Sequence, residues 1–194
     1  MRSAVRPLSE AVKGAACVVL ALVAACRADP RGTPPTTTPA DFVAPVNVDT
    51  AGLPGPVQPV FYRHDVHAGQ YKMDCRYCHY AAETSLHPGM PSMRTCMGCH
   101  SIVLGDNPEV QKFRDADLTD PNQSIKWVRV HVLPQFVHFP HMRHVKGAGI
   151  TCQTCHGPVQ EMARVYQYSS LQMGWCLDCH KKNKVTRDCT ACHY

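Results

Sequence analysis

The 194-residue chain has no apolar run long enough to cross a membrane. A spanning helix needs about 20 consecutive apolar residues, and the longest stretch, Ala15 to Ala25, ends at Cys26. Preceded by Arg2, Arg6 and Lys13, it reads as the h-region of a secretory signal over residues 1–25. Aromatic residues are few, at 7%, and apolar periodicity is weak, so regular structure is expected to be sparse. The formal charge of +5 excludes little, because a signal carrying Arg2, Arg6, Lys13 and Glu10 removes three positives and one negative, leaving +3. No nucleic-acid partner is read from it.

Cysteine and histidine are abundant instead, with 12 of each. Ten of the cysteines fall into five Cys-x-x-Cys-His motifs, at 75–79, 96–100, 152–156, 176–180 and 189–193. Two thiols at this spacing can add to the vinyl groups of a haem, and the adjoining histidine can then reach the iron. Zinc ribbons also use Cys-x-x-Cys pairs, but have no reason to place histidine directly after every second cysteine. Five haem c groups are therefore expected. They are held by Cys75, Cys78, Cys96, Cys99, Cys152, Cys155, Cys176, Cys179, Cys189 and Cys192, with His79, His100, His156, His180 and His193 as proximal ligands. Haem propionates would turn the holoprotein acidic.

The remaining cysteines follow. Leu22 to Cys26 resembles a bacterial lipobox, making Cys26 the candidate for lipidation, while Cys17 leaves with the signal. More than one acyl chain would anchor the protein stably. No cysteine is left for a disulfide or a catalytic thiol.

Residues 26–59, rich in proline and threonine, read as a tether, and the cytochrome part as 60–194. The latter contains an internal repeat. Phe61-x-x-His64-x-x-His67 and Phe139-x-His141-x-x-His144 each stand seven residues before a haem motif, at Cys75 and Cys152. Each block continues to a second motif with a methionine three residues ahead of it, Met93 and Met173. The chain thus divides into two dihaem modules, about 61–100 and 138–180, and a terminal motif at 189–193. Asp106-Asn107-Pro108-Glu109 signals a helix from Pro108 to about Asp117, and Asp120-Pro121-Asn122 a turn. Ile125 to Leu133 should be extended or a small strand. The fold class expected is a multihaem cytochrome c, mostly coil, with short α-helices around covalently bound haems and little β structure. The haems would replace much of the side-chain core.

Low-spin electron-transfer haems need a sixth ligand. The repeated His-x-x-His pairs nominate His64, His67, His141 and His144, since three residues apart on a helical turn the two imidazoles share a face. For the fifth distal ligand His131 and His87 are candidates, followed by Met173 and Met93, while His138 is left unligated. Trp127 and Trp175 read as haem-packing aromatics. Lys181, Lys182, Lys184 and Arg187 could neutralise propionates or guide a partner.

The run Trp127-Val128-Arg129-Val130-His131-Val132-Leu133-Pro134, continuing through the second histidine pair to Cys152–Val159, resembles one family. So do Met173-Gly174-Trp175-Cys176 and His64-x-x-His67-Ala68-Gly69. The family is the pentahaem cytochrome subunit of bacterial alternative complex III, a quinol:electron-acceptor oxidoreductase. The resemblance implies an electron-transfer subunit with no catalysis of its own, at the periplasmic face of the cytoplasmic membrane. Its partners would be an iron–sulfur subunit, quinol-oxidising membrane subunits, and a further cytochrome c or a terminal oxidase. The short apolar run departs from the family's N-terminal membrane helix and points to a lipid anchor. The resemblance also adds weight to His131, which lies in the shared Trp-Val-Arg-x-His stretch. Two other functions share the haem content. One is a free-standing periplasmic shuttle feeding reductases. The other is a catalytic multihaem reductase, disfavoured because every motif ends in an ordinary histidine.

Overall fold

A computed structural model describes residues 40–114 and 124–194. The signal at 1–25, Cys26, the start of the tether, the end of the predicted 108–117 helix and the turn at 120–122 lie outside the described residues. Five short α-helices appear among them: α1 (Cys75–Cys78), α2 (Met93–His100), α3 (Pro108–Arg114), α4 (Gln153–His156) and α5 (Met173–Lys182). Two π-helical turns, Asp65–Gln70 and Arg143–Gly147, and 3-10 turns at Tyr80–Glu83, Val159–Glu161 and Cys189–Ala191 make up the rest. The described residues contain no strand. This is the sparse, coil-rich architecture expected.

Local chemistry starts these helices. Asp74 caps α1 by accepting from the Arg76 amide at 2.8 Å, and Asn107 caps α3 by accepting from the Glu109 amide at 2.9 Å. Pro108 fills the first turn of α3, where its missing N–H costs nothing. The 125–133 stretch meets no partner strand. Instead the Gln58 side-chain amide pairs with Val128 on both sides, donating to its carbonyl and accepting from its N–H, each at 2.9 Å. A primary amide has the donor and acceptor of a peptide group, so it can stand in for one rung of a ladder.

Among the described residues the apolar core is small. Val60, Met93, Val110 and Phe113 form one buried cluster joining α2 to α3, with Cys96, Met97, Ile125 and Trp127 against it. Residues 40–59 lack regular structure and lie along this body. Arg164 donates to the carbonyls of Thr50 (2.9 Å) and Leu53 (3.1 Å), Arg63 to that of Pro45 (2.6 Å), and the Ala44 amide to Gln70 Oε1 (3.2 Å). Guanidinium groups with several fixed donors collect carbonyls that a proline-rich segment leaves unpaired.

Asp65 is the most deeply buried large polar side chain, 1% exposed. It is paired through both oxygens with Arg63 and accepts from the Val66 amide at 3.0 Å. Removing one partner of a buried pair strands the other. Asp65→Ala should destabilise the holoprotein by about 3 kcal/mol, the low end for such pairs because Arg63 keeps some access to water. A urea midpoint unchanged from the parent would show that the pair is dispensable.

Candidate haem-binding centres

Every Cys-x-x-Cys-His motif lies on a helical turn. The paired cysteines of α1 stand three residues apart on one face, and the other four motifs fall in α2, α4, α5 and the 3-10 turn Cys189–Ala191 or at their edges. None of the ten motif cysteines is in a disulfide. Among the described residues no group of three or more His, Cys, Asp or Glu side chains is arranged to hold a bare metal ion.

The motif histidines are oriented by their Nδ1 atoms. His79 donates to the Gly89 carbonyl at 2.9 Å, His100 to Val103 at 2.9 Å, His180 to Thr186 at 2.5 Å and His193 to Phe136 at 3.0 Å. With Nδ1–H engaged, Nε2 carries the lone pair a metal needs, and the hydrogen bond raises its basicity. His156 differs, since its Nδ1 faces His131 Nε2 at 3.3 Å.

The repeated histidine pairs make the same contacts. The aromatic ring two residues before each pair packs edge-on to the first histidine and stacks on the second. Tyr62 does so at 4.7 Å and 4.4 Å, Phe139 at 4.9 Å and 4.2 Å. The second histidine donates Nδ1–H to the carbonyl four residues back, His67 to Arg63 at 2.8 Å and His144 to Pro140 at 3.0 Å. The counterpart of Phe139 is therefore Tyr62, not Phe61. Counting back from the histidines rather than matching phenylalanine to phenylalanine would have found it.

Three imidazole pairs stand at the separation a shared iron requires. Two imidazoles on opposite sides of one metal ion, each bonded at about 2 Å, have ring centres roughly 6 Å apart. His67 and His100 are 6.0 Å apart, His144 and His180 6.1 Å, and His141 and His156 6.5 Å with nearly parallel planes. Burial, with His79 and His67 beside it, pushes the His64 imidazole down to about 4. Burial also pushes His156 down to about 3, with His131, His141 and His79 close by. Both are held neutral, the ligating form. Each member of a His-x-x-His pair thus approaches a different motif: His64 near His79, His67 at His100, His141 at His156, His144 at His180.

The candidates for a fifth distal ligand are scattered. His131 meets His156 edge-on with ring centres 4.3 Å apart, which leaves no room for a metal between them. It braces the ring from behind. His87 is exposed, near His141. Met93 is buried in the apolar cluster and Met173 is 66% exposed, although both open their helices. His193 is stacked by Phe136 at 5.8 Å, and His138 stacks on Tyr194 at 4.2 Å. Trp127 lies against the apolar cluster and Trp175 is half-buried. Lys181, Lys184 and Arg187 line a cleft of about 660 Å³ between α5 and the last motif. Paired thiols beside a neutral imidazole, with a second imidazole opposite, fit haem c. Bound there, it supplies a one-electron iron couple.

Comparison with known proteins agrees with this chemistry. Residues 137–194 match the family described as cytochrome c7 and related cytochrome c. The chain is also 29% identical over 157 residues to the menaquinone reductase multiheme cytochrome c subunit of Nitratidesulfovibrio vulgaris strain Hildenborough. That likeness covers 70% of this chain and 74% of the relative.

Proposed function

We propose that this chain, a multihaem cytochrome c with an electron-transfer role, carries five haems and is the electron-relay subunit of a quinone-linked membrane complex. The observation that carries this reading is the likeness, over most of both chains, to a protein named as a menaquinone reductase subunit. The resemblance of the 127–159 run and the two histidine pairs to the alternative complex III cytochrome adds to it. Quinol oxidation releases two electrons and two protons. The protons are released to solvent at the quinone-binding partner, and the electrons pass singly along this chain to a periplasmic cytochrome or a terminal oxidase. Iron–sulfur and quinol-oxidising membrane subunits are the proposed partners, and the periplasmic face, with lipid at Cys26, the proposed location.

The relative's name favours a second reading in which electrons run the other way and reduce menaquinone. Purification from membranes decides between complex and free carrier, and a redox assay decides direction. Co-purification with an iron–sulfur protein and membrane subunits, with haem reduction on adding menaquinol, is expected. Recovery as a lone soluble cytochrome would favour the shuttle. Reoxidation of pre-reduced haem by menaquinone, with no reduction by menaquinol, would favour the reverse direction.

A further inference from the structure

The two modules are not merely repeated; they bind each other reciprocally. An offset of 77 residues (64 to 141) carries His64 onto His141, Asp65 onto Met142, Cys75 onto Cys152 and Ser85 onto Met162. The Asp65 amide donates to the Met162 carbonyl at 3.1 Å, and the Met142 amide donates to the Ser85 carbonyl at 3.1 Å. Under the offset these are one bond made twice, each time from one module to the other. A contact in which the first partner's residue i meets the second's j while the second's i meets the first's j defines a two-fold axis.

The elements follow the same rule. The π-helical turn Asp65–Gln70 packs on the 3-10 turn Val159–Glu161, which follows the first motif of the second module. The π-helical turn Arg143–Gly147 packs on Tyr80–Glu83, which follows the first motif of the first. Gly69 allows the first of these approaches, since a Cβ there would stand 2.1 Å from the Gln160 carbonyl. On a two-fold axis a residue meets its own counterpart. Cys75 and Cys152 do so, their side chains lying against each other.

The outer motifs are set by the same arrangement. Cys78 neighbours Cys96 and Cys99 in one module, as Cys155 neighbours Cys176 and Cys179 in the other. The last motif folds back on the start of the second module and the residues just before it, with the His138 amide donating to the Cys192 carbonyl at 2.8 Å and His193 to that of Phe136. Cys192 neighbours Cys176.

We infer that the two dihaem modules face each other across an internal two-fold axis between Cys75 and Cys152, so that the haem attachment sites run in space in the order 96/99, 75/78, 152/155, 176/179, 189/192. The first two sites exchange places relative to the sequence. The ends of the array are then the 96/99 site and the 189/192 site, and every electron crossing between modules passes the Cys75–Cys152 junction. This order rests on the pentahaem reading proposed above.

Proton NMR of the fully reduced, diamagnetic holoprotein tests it directly. Nuclear Overhauser contacts are expected between the haem on Cys75/Cys78 and the haem on Cys152/Cys155. None is expected between the haem on Cys96/Cys99 and the haem on Cys152/Cys155. The reverse pattern, with 96/99 adjoining 152/155 and 75/78 at the end, would overturn the order while leaving five haems in place. Mass spectrometry of the same sample separates the two failures, since fewer than five haems would remove the pentahaem reading and the order with it.

Discussion

His67→Ala is expected to turn one low-spin iron into a high-spin, five-coordinate one that binds carbon monoxide when reduced. His67 faces His100 across 6.0 Å and has its Nδ1–H engaged by Arg63, so its Nε2 is the only ring nitrogen left to ligate. Alanine leaves that position to water or nothing, and a ferrous haem with an open site takes carbon monoxide. The spectral change should amount to one haem in five. His144→Ala should do the same in the second module, where the separation from His180 is 6.1 Å. His67→Met should keep the iron low-spin and raise its potential, because methionine ligation does so. His138→Ala, whose ring is stacked on Tyr194, should change nothing in the carbon monoxide spectrum. An identical carbon monoxide spectrum for His67→Ala and the parent would remove His67 from the axial set.

The second large effect concerns folding. The polypeptide made without haem attachment, by replacing the cysteines of all five motifs with serine, should be largely unfolded. Seven apolar residues are buried among the described ones: Ala44, Val60, Ala82, Met93, Val110, Phe113 and Met162. A fully buried large aliphatic or aromatic side chain contributes about 2 kcal/mol, and ordering each residue's backbone costs about 1–2 kcal/mol. So small a core cannot order the described residues alone, whereas the large apolar macrocycles proposed for the five motifs, held covalently, would supply the missing apolar surface. Far-UV circular dichroism and amide exchange read the outcome. A cooperative transition and protected amides in the serine-substituted chain would show that the polypeptide folds independently of its cofactors.

The two results differ in how far the sequence anticipates them. Covalent attachment is local chemistry, so the motif and its helical turn are legible from five consecutive residues. The His-x-x-His pairs are legible because they recur at a fixed distance from a motif. His131 is where that reading stopped. From sequence it is one more histidine in a shared stretch, and only the folded chain brings it behind His156, 25 residues away. The 125–133 stretch has the β-branched composition of a strand, yet strand formation depends on a partner, and a single glutamine side chain supplies what pairing it has.

By itself, then, the sequence determined the local pattern of this protein: five Cys-x-x-Cys-His motifs, paired histidines before two of them, and a repeat that relates those two. Those features depend on bonds and hydrogen bonds within a few residues, which spacing fixes. Tertiary structure decided which imidazole faces which motif and how the modules meet. Asp65 finds Met162 and Met142 finds Ser85 only after long loops have closed. The order in space of the first two sites is set by that closure, because linear distance along the chain carries no information about a two-fold axis.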